Sequence, residues 1–154
     1  MYLDPSYQKN TTVADVHEPE IRSYNMSRIR GKDTKPEMMV RKFLHAKGFR
    51  YKLHDKSLPG KPDIVLPKYR TIIQIHGCFW HGHDGCRYYK VPGTRTEWWL
   101  DKINKTKQQD VENYMKLKDL GWNVLIIFEC ELKTNFDQRM LRLLDQLNNQ
   151  TLQP

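Results

Sequence analysis

Residues 62–77, PDIVLPKYRTIIQIHG, decide the predicted fold, because two apolar runs lie on either side of a Pro-Lys break. Short runs of β-branched and aliphatic residues between turn formers are typical of strands. A third strand is predicted upstream in residues 49–54, FRYKLH, and a fourth downstream in residues 122–129, WNVLIIFE. Since the fourth run is apolar almost throughout, we expect that strand at the centre of the sheet.

Helical segments are predicted around these strands. Thr34 precedes Pro36 and Glu37, which is the signature of a capped helix start, and Gly48 is expected to end this helix. Its buried stripe is predicted to consist of Met38, Met39, Phe43 and Leu44. Further helices are predicted in residues 21–30, 94–121 and 137–149. This order of elements indicates an α/β fold in which helices flank one mixed central sheet.

Composition narrows the class of protein. The 154-residue chain has the length of a single domain. Lys and Arg number 26 against 18 Asp and Glu, and the formal charge of +8 favours a polyanionic partner such as DNA or RNA. The alternative is a basic protein without a nucleic-acid ligand. No apolar run suits a membrane span and residues 1–12 lack the pattern of a secretory signal, so we expect an intracellular protein.

The chain is predicted to divide into an arm and a domain. Residues 1–20 are polar, contain two prolines and show no sustained periodicity, so we expect a flexible amino-terminal arm. Residues 21–150 contain all the predicted strands and helices and are expected to form the folded domain.

Residues 76–86, HGCFWHGHDGC, combine cysteines and histidines at spacings typical of metal sites. Cys130 is the remaining cysteine, and an odd count argues against a disulfide framework. The predicted ligands of a structural zinc ion are Cys78, His83, Cys86 and Cys130. A closed Cys3His sphere leaves no position for substrate, so the ion would brace the loop. The alternative is that the cysteines are small core residues and the histidines lie on the surface.

Pro62-Asp63 followed by Gln74-Ile75-His76 is similar to a nuclease pattern in which Pro-Asp precedes acid-x-Lys. In that pattern two acids hold magnesium against the scissile phosphate. Here the second acid and the lysine are both replaced. The backbone carbonyl of Ile75 can serve as an oxygen ligand in place of the acid, and His76 with His81 can provide proton transfer.

Glu37 and Asp63 each have an ordinary structural interpretation as well. Glu37 could polarise a histidine or a water molecule in the site, or it could only complete the cap of its helix. Asp63 could be a metal ligand, or only a turn residue after Lys-Pro. His81 and His83 are expected to point in different directions, so that they do not share one ion.

Several stretches occur in the order typical of one enzyme family. They are NMSRIRGKDTKPE, SLPGKPDIVLP, HGCFWHGHDGC, KVPGTRTEWWLDKI and LGWNVLIIFECEL. From about Ala14 to Leu144 the chain resembles the very short patch repair endonucleases, bacterial enzymes that nick DNA beside a T·G mismatch left by deamination of 5-methylcytosine. The resemblance implies a restriction-endonuclease-like domain with a structural zinc ion at the four predicted ligands.

The resemblance also implies roles for the other candidate residues. Asp63 would be the principal Mg²⁺ carboxylate and the Ile75 carbonyl a second ligand. His81 would be the general base, His76 its catalytic partner near the scissile phosphate, and Glu37 would orient the two histidines. The residues implied to contact DNA are the wedge aromatics Phe79 and Trp80 with Trp99 nearby, Met26 from the opposite groove, and Lys102 at the mismatched pair.

The function that follows is a Mg²⁺-dependent, strand-specific nicking endonuclease acting on duplex DNA at T·G mismatches and leaving a 5′-phosphate. We expect a monomer in the bacterial cytoplasm, held to the nucleoid by DNA and linked functionally to a DNA cytosine methyltransferase and to mismatch-repair proteins. One alternative is a zinc-braced module that binds mismatched DNA without cleavage. Another is a nuclease of relaxed mismatch specificity, because Thr106 stands where some members carry asparagine.

Overall fold

The computed structural model describes residues 19–150, apart from the side chain of Arg22. The elements, in chain order, are α1 (Pro19–Ser27), α2 (Lys35–Ala46), β1 (Lys52–Leu53), β2 (Ile64–Leu66), β3 (Thr71–His76), α3 (Thr96–Asp119), β4 (Asn123–Phe128), α4 (Glu129–Thr134) and α5 (Phe136–Gln150). Most of the predicted flexible arm, residues 1–18, lies outside the described residues, whereas Pro19 and Glu20 already belong to α1.

The four strands form one mixed sheet in the order β1-β2-β3-β4, which confirms the predicted α/β architecture. β2 pairs antiparallel with both β1 and β3, and β3 pairs parallel with β4. The prediction that the fourth strand lies at the centre was wrong. Within the described sheet β4 pairs with β3 alone and so lies at an edge, whereas all six residues of β3 are buried. Helices cover both faces of β4, so its sequence is apolar even though its outer edge is unpaired.

Two hydrophobic clusters lie on opposite faces of the sheet. Ile73 and Ile75 face the larger cluster, to which α2 and α5 contribute, whereas Ile72 packs with Leu117 of α3 in the smaller one. Side chains alternate between the two faces of a strand. Gln74 and His76 therefore project to the same side as Ile72, towards α3, and this register directs His76 to the site described below.

The start of α2 confirms the predicted cap, since the Thr34 hydroxyl accepts a hydrogen bond from the Glu37 amide at 3.4 Å. The predicted buried stripe of Met38, Met39, Phe43 and Leu44 is confirmed at Leu44 and in part at Phe43, which packs against the core, and was wrong at Met38. The residues of α2 that are buried are Glu37, Val40, Arg41 and Leu44, while Met38 is 37% exposed. A charged pair one helical turn apart occupies part of the inward face, and this shifts the apolar residues around the helix.

Three local predictions also differ from the structure. The strand predicted over residues 49–54 is only Lys52–Leu53, and the first helix ends at Ser27 instead of continuing to residue 30. The short helix α4 follows β4 directly and was not predicted; the Glu131 carboxylate accepts the Phe128 amide at 2.8 Å and caps it. Among residues 19–150, every helix is too short or too polar to cross a bilayer.

Candidate active site and metal centre

A pocket of about 870 Å³ opens where β2 and β3 meet α3. It is lined by acidic and imidazole side chains, namely Glu37, His54, Asp63, His76, His81, Asp110 and Glu129, and by the basic residues Arg30, Lys32, Lys56 and Lys61. The basic residues suit an anionic substrate, and the carboxylates and imidazoles are the groups used for metal binding and proton transfer. The described pocket therefore combines an anion-attracting surface with acid–base chemistry.

Asp63 is positioned by the pairing of β2 with β3. Ile64 is paired with Ile73, so Asp63, the residue before β2, falls opposite Gln74, and the amide of the next residue, Ile75, donates to Asp63 Oδ2 at 2.8 Å. Burial raises the pKa of Asp63 above its ordinary value, and the negative charge of Glu37 acts in the same direction. The Ile75 amide opposes this rise, and a cation beside the carboxylate would oppose it further.

His76 and His81 stack in parallel, with ring centroids 3.8 Å apart and an interplanar angle of 9°. Nε2 of His76 lies 3.2 Å from Oε1 of Gln74, two residues earlier on the same face of β3. Burial, with the adjacent charge of His81, lowers the pKa of His76 to about 4. His76 is therefore neutral at neutral pH.

The carboxylate that contacts the histidine pair belongs to Asp110 of α3. Its Oδ2 lies 2.6 Å from Nδ1 of His81. An ionised carboxylate only accepts hydrogen bonds, so the proton of His81 lies on Nδ1 and Nε2 is left as the basic nitrogen. This is the arrangement expected of a general base with an orienting partner.

Glu37 lines the same pocket, but its contacts run to other groups. Its Oε2 accepts from Arg41 Nη2 at 2.7 Å and lies 3.5 Å from His54 Nε2, while its Oε1 accepts from the Thr34 hydroxyl at 3.0 Å. Glu37 was predicted to orient His76 and His81, but the carboxylate that contacts this pair is that of Asp110. A capping contact and an ion pair account for the observed position of Glu37.

The four predicted zinc ligands lie together. One donor atom from each of Cys78, His83, Cys86 and Cys130 falls within 4.8 Å of the others. Cys130 lies in the first turn of α4, and its Sγ is 3.4 Å from His83 Nδ1. The His83 ring stacks on Phe128 at a centroid distance of 3.8 Å, which fixes its orientation. His81 points away into the pocket, so the two histidines serve different groups, as predicted.

The turn-rich segment of residues 77–89 between β3 and α3, called the hairpin below, includes Gly82 and packs very closely against α3. Gly82 has a left-handed backbone with φ of 56°, and a Cβ there would lie 2.7 Å from Ile103 Cγ2 and 2.4 Å from Lys107 Cε. Lys107 also bridges to Asp84 at 2.9 Å. Glycine thus lets the hairpin approach the helix that provides Asp110.

An aromatic cluster lies beside the pocket. Phe79 contacts Trp80 and Trp99 with centroid distances of 5.1 and 5.4 Å, both edge to face. Lys102 Nζ lies 5.5 Å from the ring centre of Trp80 and 4.9 Å from that of Trp98, which is 43% exposed. Trp80 also lines the pocket. Aromatic faces and a lysine are thus presented next to the acid–base groups.

Met26 and Thr106 complete the predicted DNA-contacting region. Met26 is 37% exposed near the end of α1, three residues before Ile29, which lines the pocket. The hydroxyl of Thr106 donates to the carbonyl of Lys102 at 3.2 Å, one turn back on α3. The exposed Met26 side chain is available to a ligand, whereas the Thr106 hydroxyl is engaged by its own helix.

Comparison with known proteins assigns the chain to a family. Residues 14–87 match the family described as DNA mismatch endonuclease Vsr. The type II nicking enzyme V.NmeAIP of Neisseria meningitidis is 43% identical over 139 residues, which cover 89% of this chain and 99% of that enzyme. The chain belongs to the Vsr family of DNA mismatch endonucleases. It is therefore a DNA endonuclease, and the predicted resemblance is confirmed.

Two further relatives agree with membership of the Vsr family. The DNA mismatch endonuclease Vsr of Escherichia coli K12 is 46% identical over 121 residues, covering 79% of this chain and 77% of that protein. The type II nicking enzyme V.XorIIP of Xanthomonas oryzae pv. oryzae is 42% identical over 135 residues, covering 86% of this chain and 98% of that enzyme. An endonuclease of the Vsr family acts on DNA, as the basic composition indicated.

Two residues of this Vsr-family pocket, Asp110 and His54, were missed by sequence reasoning, and so was Arg41, which contacts the pocket residues Glu37 and His54. Asp110 had a readable signal, since it lies seven residues from both Ile103 and Leu117, the buried residues of α3, and so shares their inward face. Arg41 and His54 had no comparable signal. Their positions become informative only when α2 is packed against the segment that follows β1.

Proposed function

We propose that this Vsr-family endonuclease is a Mg²⁺-dependent nickase that cuts one strand of duplex DNA at a T·G mismatch and so initiates very short patch repair. The main support is the presence in one pocket of Asp63, the stacked His76–His81 pair and Asp110, beside a partly exposed aromatic cluster. The names of the relatives, a DNA mismatch endonuclease and type II nicking enzymes, support the same reaction.

The donor set at Asp63 fits a hard divalent cation. Asp63 Oδ2 is held by the Ile75 amide, which leaves Oδ1 directed towards His54 at 3.9 Å on the pocket side. Asp63 and the main-chain carbonyl of Ile75 would hold the ion, since oxygen donors are those that Mg²⁺ prefers. Mg²⁺, when bound, stabilises charge on the phosphate oxygens as a Lewis acid. Asp63 is partly buried, and burial raises the pKa of its carboxyl group, so it is the group that would gain most from that charge.

His81 would act as the general base. Asp110 holds the proton on Nδ1, so Nε2 can accept a proton from the attacking water and Asp110 stabilises the resulting imidazolium. His76 stays neutral under the same conditions and stacks against His81, which limits the rotation of the base. The water attacks phosphorus and the P–O bond to the 3′ oxygen breaks; the 3′ oxygen takes a proton from solvent to become a hydroxyl, and the phosphate stays on the 5′ oxygen.

The Cys78–His83–Cys86–Cys130 cluster is assigned to structural zinc. A tetrahedral ion with bonds of about 2.0–2.3 Å places its ligands about 3.5–3.8 Å apart. The observed spread, within 4.8 Å, and the 3.4 Å contact of Cys130 with His83 fit this geometry. The ion would brace the hairpin that carries both His81 and the aromatic pair, Phe79 and Trp80.

The aromatic cluster is suited to sensing a mispair. Opening a base step costs a few kcal/mol and costs least where pairing is already weak. Phe79 and Trp80 would enter the stack with Trp99 behind them, Met26 would enter from the opposite groove, and Lys102 would contact the mispaired bases. The net charge of +8 provides the accompanying attraction to phosphate. A T·G mispair arises where a DNA cytosine methyltransferase has acted, so that enzyme supplies the precursor of the substrate.

The test is incubation of the protein with Mg²⁺ and a duplex whose strands are labelled separately, with either a T·G or an A·T pair at one position. We expect a nick in one strand of the T·G duplex. Asp63→Asn should reduce the rate by at least about 10³-fold and leave DNA binding intact, because it removes several kcal/mol of charge stabilisation. Asp119→Asn, an exposed carboxylate elsewhere, is the matched control. Full activity of Asp63→Asn would contradict the assignment.

A nuclease of relaxed mismatch specificity is the second candidate. The observation that favours it is the Thr106 hydroxyl, which is bonded to the Lys102 carbonyl and so is turned away from a base pair. A panel of all mispairs in the same sequence context separates the two functions. Similar rates on T·G and on other mispairs would favour relaxed specificity, and a strong preference for T·G would support the first proposal.

A further inference from the structure

Arg41 lies at the centre of a polar cluster beside Asp63. Its guanidinium donates from Nη2 to Glu37 Oε2 at 2.7 Å and from Nη1 to Asp33 Oδ1 at 2.6 Å. The same Nη2 lies 2.8 Å from His54 Nε2. The residue is only 6% exposed. One arginine thus joins two carboxylates and an imidazole at the wall of the pocket.

The contact with Arg41 decides which nitrogen of His54 carries the proton. A guanidinium has only donors, so His54 Nε2 must accept and the proton of the neutral ring lies on Nδ1. Nδ1 is the nitrogen that faces Asp63 Oδ1, at 3.9 Å. The backbone of His54 is left-handed, with φ of 46°, and its N–H donates a hydrogen bond to the Asp63 carbonyl at 3.3 Å. These two features hold the ring in this place.

The same contacts make the carboxylates of the pocket unequal in their ability to bind a cation. Glu37 Oε2 accepts from Arg41 and from the Asp33 amide at 3.0 Å, and Oε1 accepts from the Thr34 hydroxyl at 3.0 Å. A divalent cation at Glu37 would therefore have to displace a buried guanidinium that already balances the charge. Asp63 has no such ion pair with Arg41, and one of its oxygens is directed to the pocket.

We propose that Arg41 is a positioning residue: it neutralises Glu37 and Asp33, fixes His54 with Nδ1–H towards Asp63, and so confines the divalent cation to Asp63. The inference rests on the cation site of the proposed function and deepens it. Without the guanidinium, donor atoms of Asp33, Glu37 and His54 lie within 4.8 Å of one another and would form a second cation site. The pocket would then hold two divalent ions in place of one.

The count of bound Mn²⁺ on the full chain, measured by electron paramagnetic resonance without DNA, tests this inference. The wild-type chain should bind about one Mn²⁺ at the pocket and Arg41→Gln about two. Arg41→Lys keeps a positive charge and should restore about one. Arg50→Gln, an exposed arginine bonded to the Phe49 carbonyl, is the control and should match the wild type. About two ions on the wild-type chain, or an unchanged count in Arg41→Gln, would overturn the inference.

A second measurement is made on the wild-type chain and does not require Arg41 to be replaced. Long-range ¹H–¹⁵N correlation spectra of the wild-type chain report the tautomer of His54, whose signals are assigned by their loss in His54→Gln. We expect Nδ1–H, and an Nε2–H tautomer would overturn the inference even if the cation count is as expected. Failure of the wild-type chain to bind Mn²⁺ with the Nδ1–H tautomer present would instead contradict the cation site of the proposed function, and the confinement inferred from it.

Discussion

Among residues 19–150, two of the three clusters of potential metal ligands differ in what balances their charge. Both bring their donor atoms within 4.8 Å of one another; they are Cys78, His83, Cys86 and Cys130 at the hairpin, and Asp33, Glu37 and His54 at the start of α2. In the first cluster the ligands contact each other, whereas in the second Arg41 occupies the place of a cation. Proximity of donors is therefore not enough to identify a metal centre, and the group that balances their charge must be identified as well.

The largest effect is expected from Cys130→Ala in the hairpin cluster. Loss of a thiolate should remove the zinc ion, release the hairpin and lower the melting temperature by more than about 10 °C, because metal binding at such sites contributes directly to folding. Metal analysis should change from about one zinc per chain to none. Lys133→Ala on the same helix is the control and should keep its zinc. A variant that retains both zinc and melting temperature would place the ion elsewhere.

The next effect distinguishes two of the carboxylates that line the pocket, Asp110 and Glu37. Asp110→Asn should lower the nicking rate by about 10²-fold, since loss of the partner of a catalytic histidine costs about that much. Asp101→Asn on the same helix, an exposed residue paired with Lys105, should change the rate by less than about twofold. Single-turnover cleavage of the T·G duplex measures both. An Asp110→Asn rate equal to the wild-type rate would return the orienting role to Glu37.

A smaller effect concerns the aromatic pair carried by the zinc hairpin. Phe79→Ala combined with Trp80→Ala should lower the preference for T·G over A·T duplex by about 10-fold or more, because a stacking contact contributes about 1–3 kcal/mol. Affinity for fully paired DNA should fall much less, since phosphate contacts dominate it. Binding titrations on the two duplexes measure the ratio. An equal loss on both would show that the rings only support the fold.

The smallest effect is the stabilisation of the folded chain by Mg²⁺. It contrasts a reversibly bound Mg²⁺ at Asp63 with the structural zinc ion of the hairpin. At about ten times its dissociation constant the ion should add about 1.4 kcal/mol, or about 3–6 °C in melting temperature. Asp63→Asn should abolish this increment and leave the zinc content unchanged. Thermal melts with and without Mg²⁺ measure it. An increment that persists in Asp63→Asn would assign the ion to other ligands.

The sequence predicted most of the elements that carry the site. Helix α3, strands β2 to β4 and the grouping of the soft ligands follow from periodicity and from the small number of cysteines. The position of β4 could not be predicted, because an apolar run records which faces are covered and not which edge is paired. The Glu37–Arg41 pair was hidden for a related reason, since pattern reasoning places Met38 and Met39 inside before charged residues.

Asp110 and His54 illustrate two degrees of predictability within the site. The heptad spacing of Asp110 with Ile103 and Leu117 marks an inward carboxylate, which is an anomaly that the sequence contains. His54 has no such mark, because its role depends on a left-handed backbone and on contacts with α2 and Asp63. Local patterns thus locate residues on a face, whereas tautomers and ion pairs require the packed chain.

The close approach at Gly82 has a consequence for engineering. Because any side chain there would collide with Ile103 and Lys107, the hairpin and the middle of α3 are complementary surfaces that can be exchanged only together. A hairpin with any other residue at position 82 would have to lie farther from α3, which would move His81 away from Asp110. Retargeting the enzyme to other lesions therefore calls for a swap of both segments as one cassette.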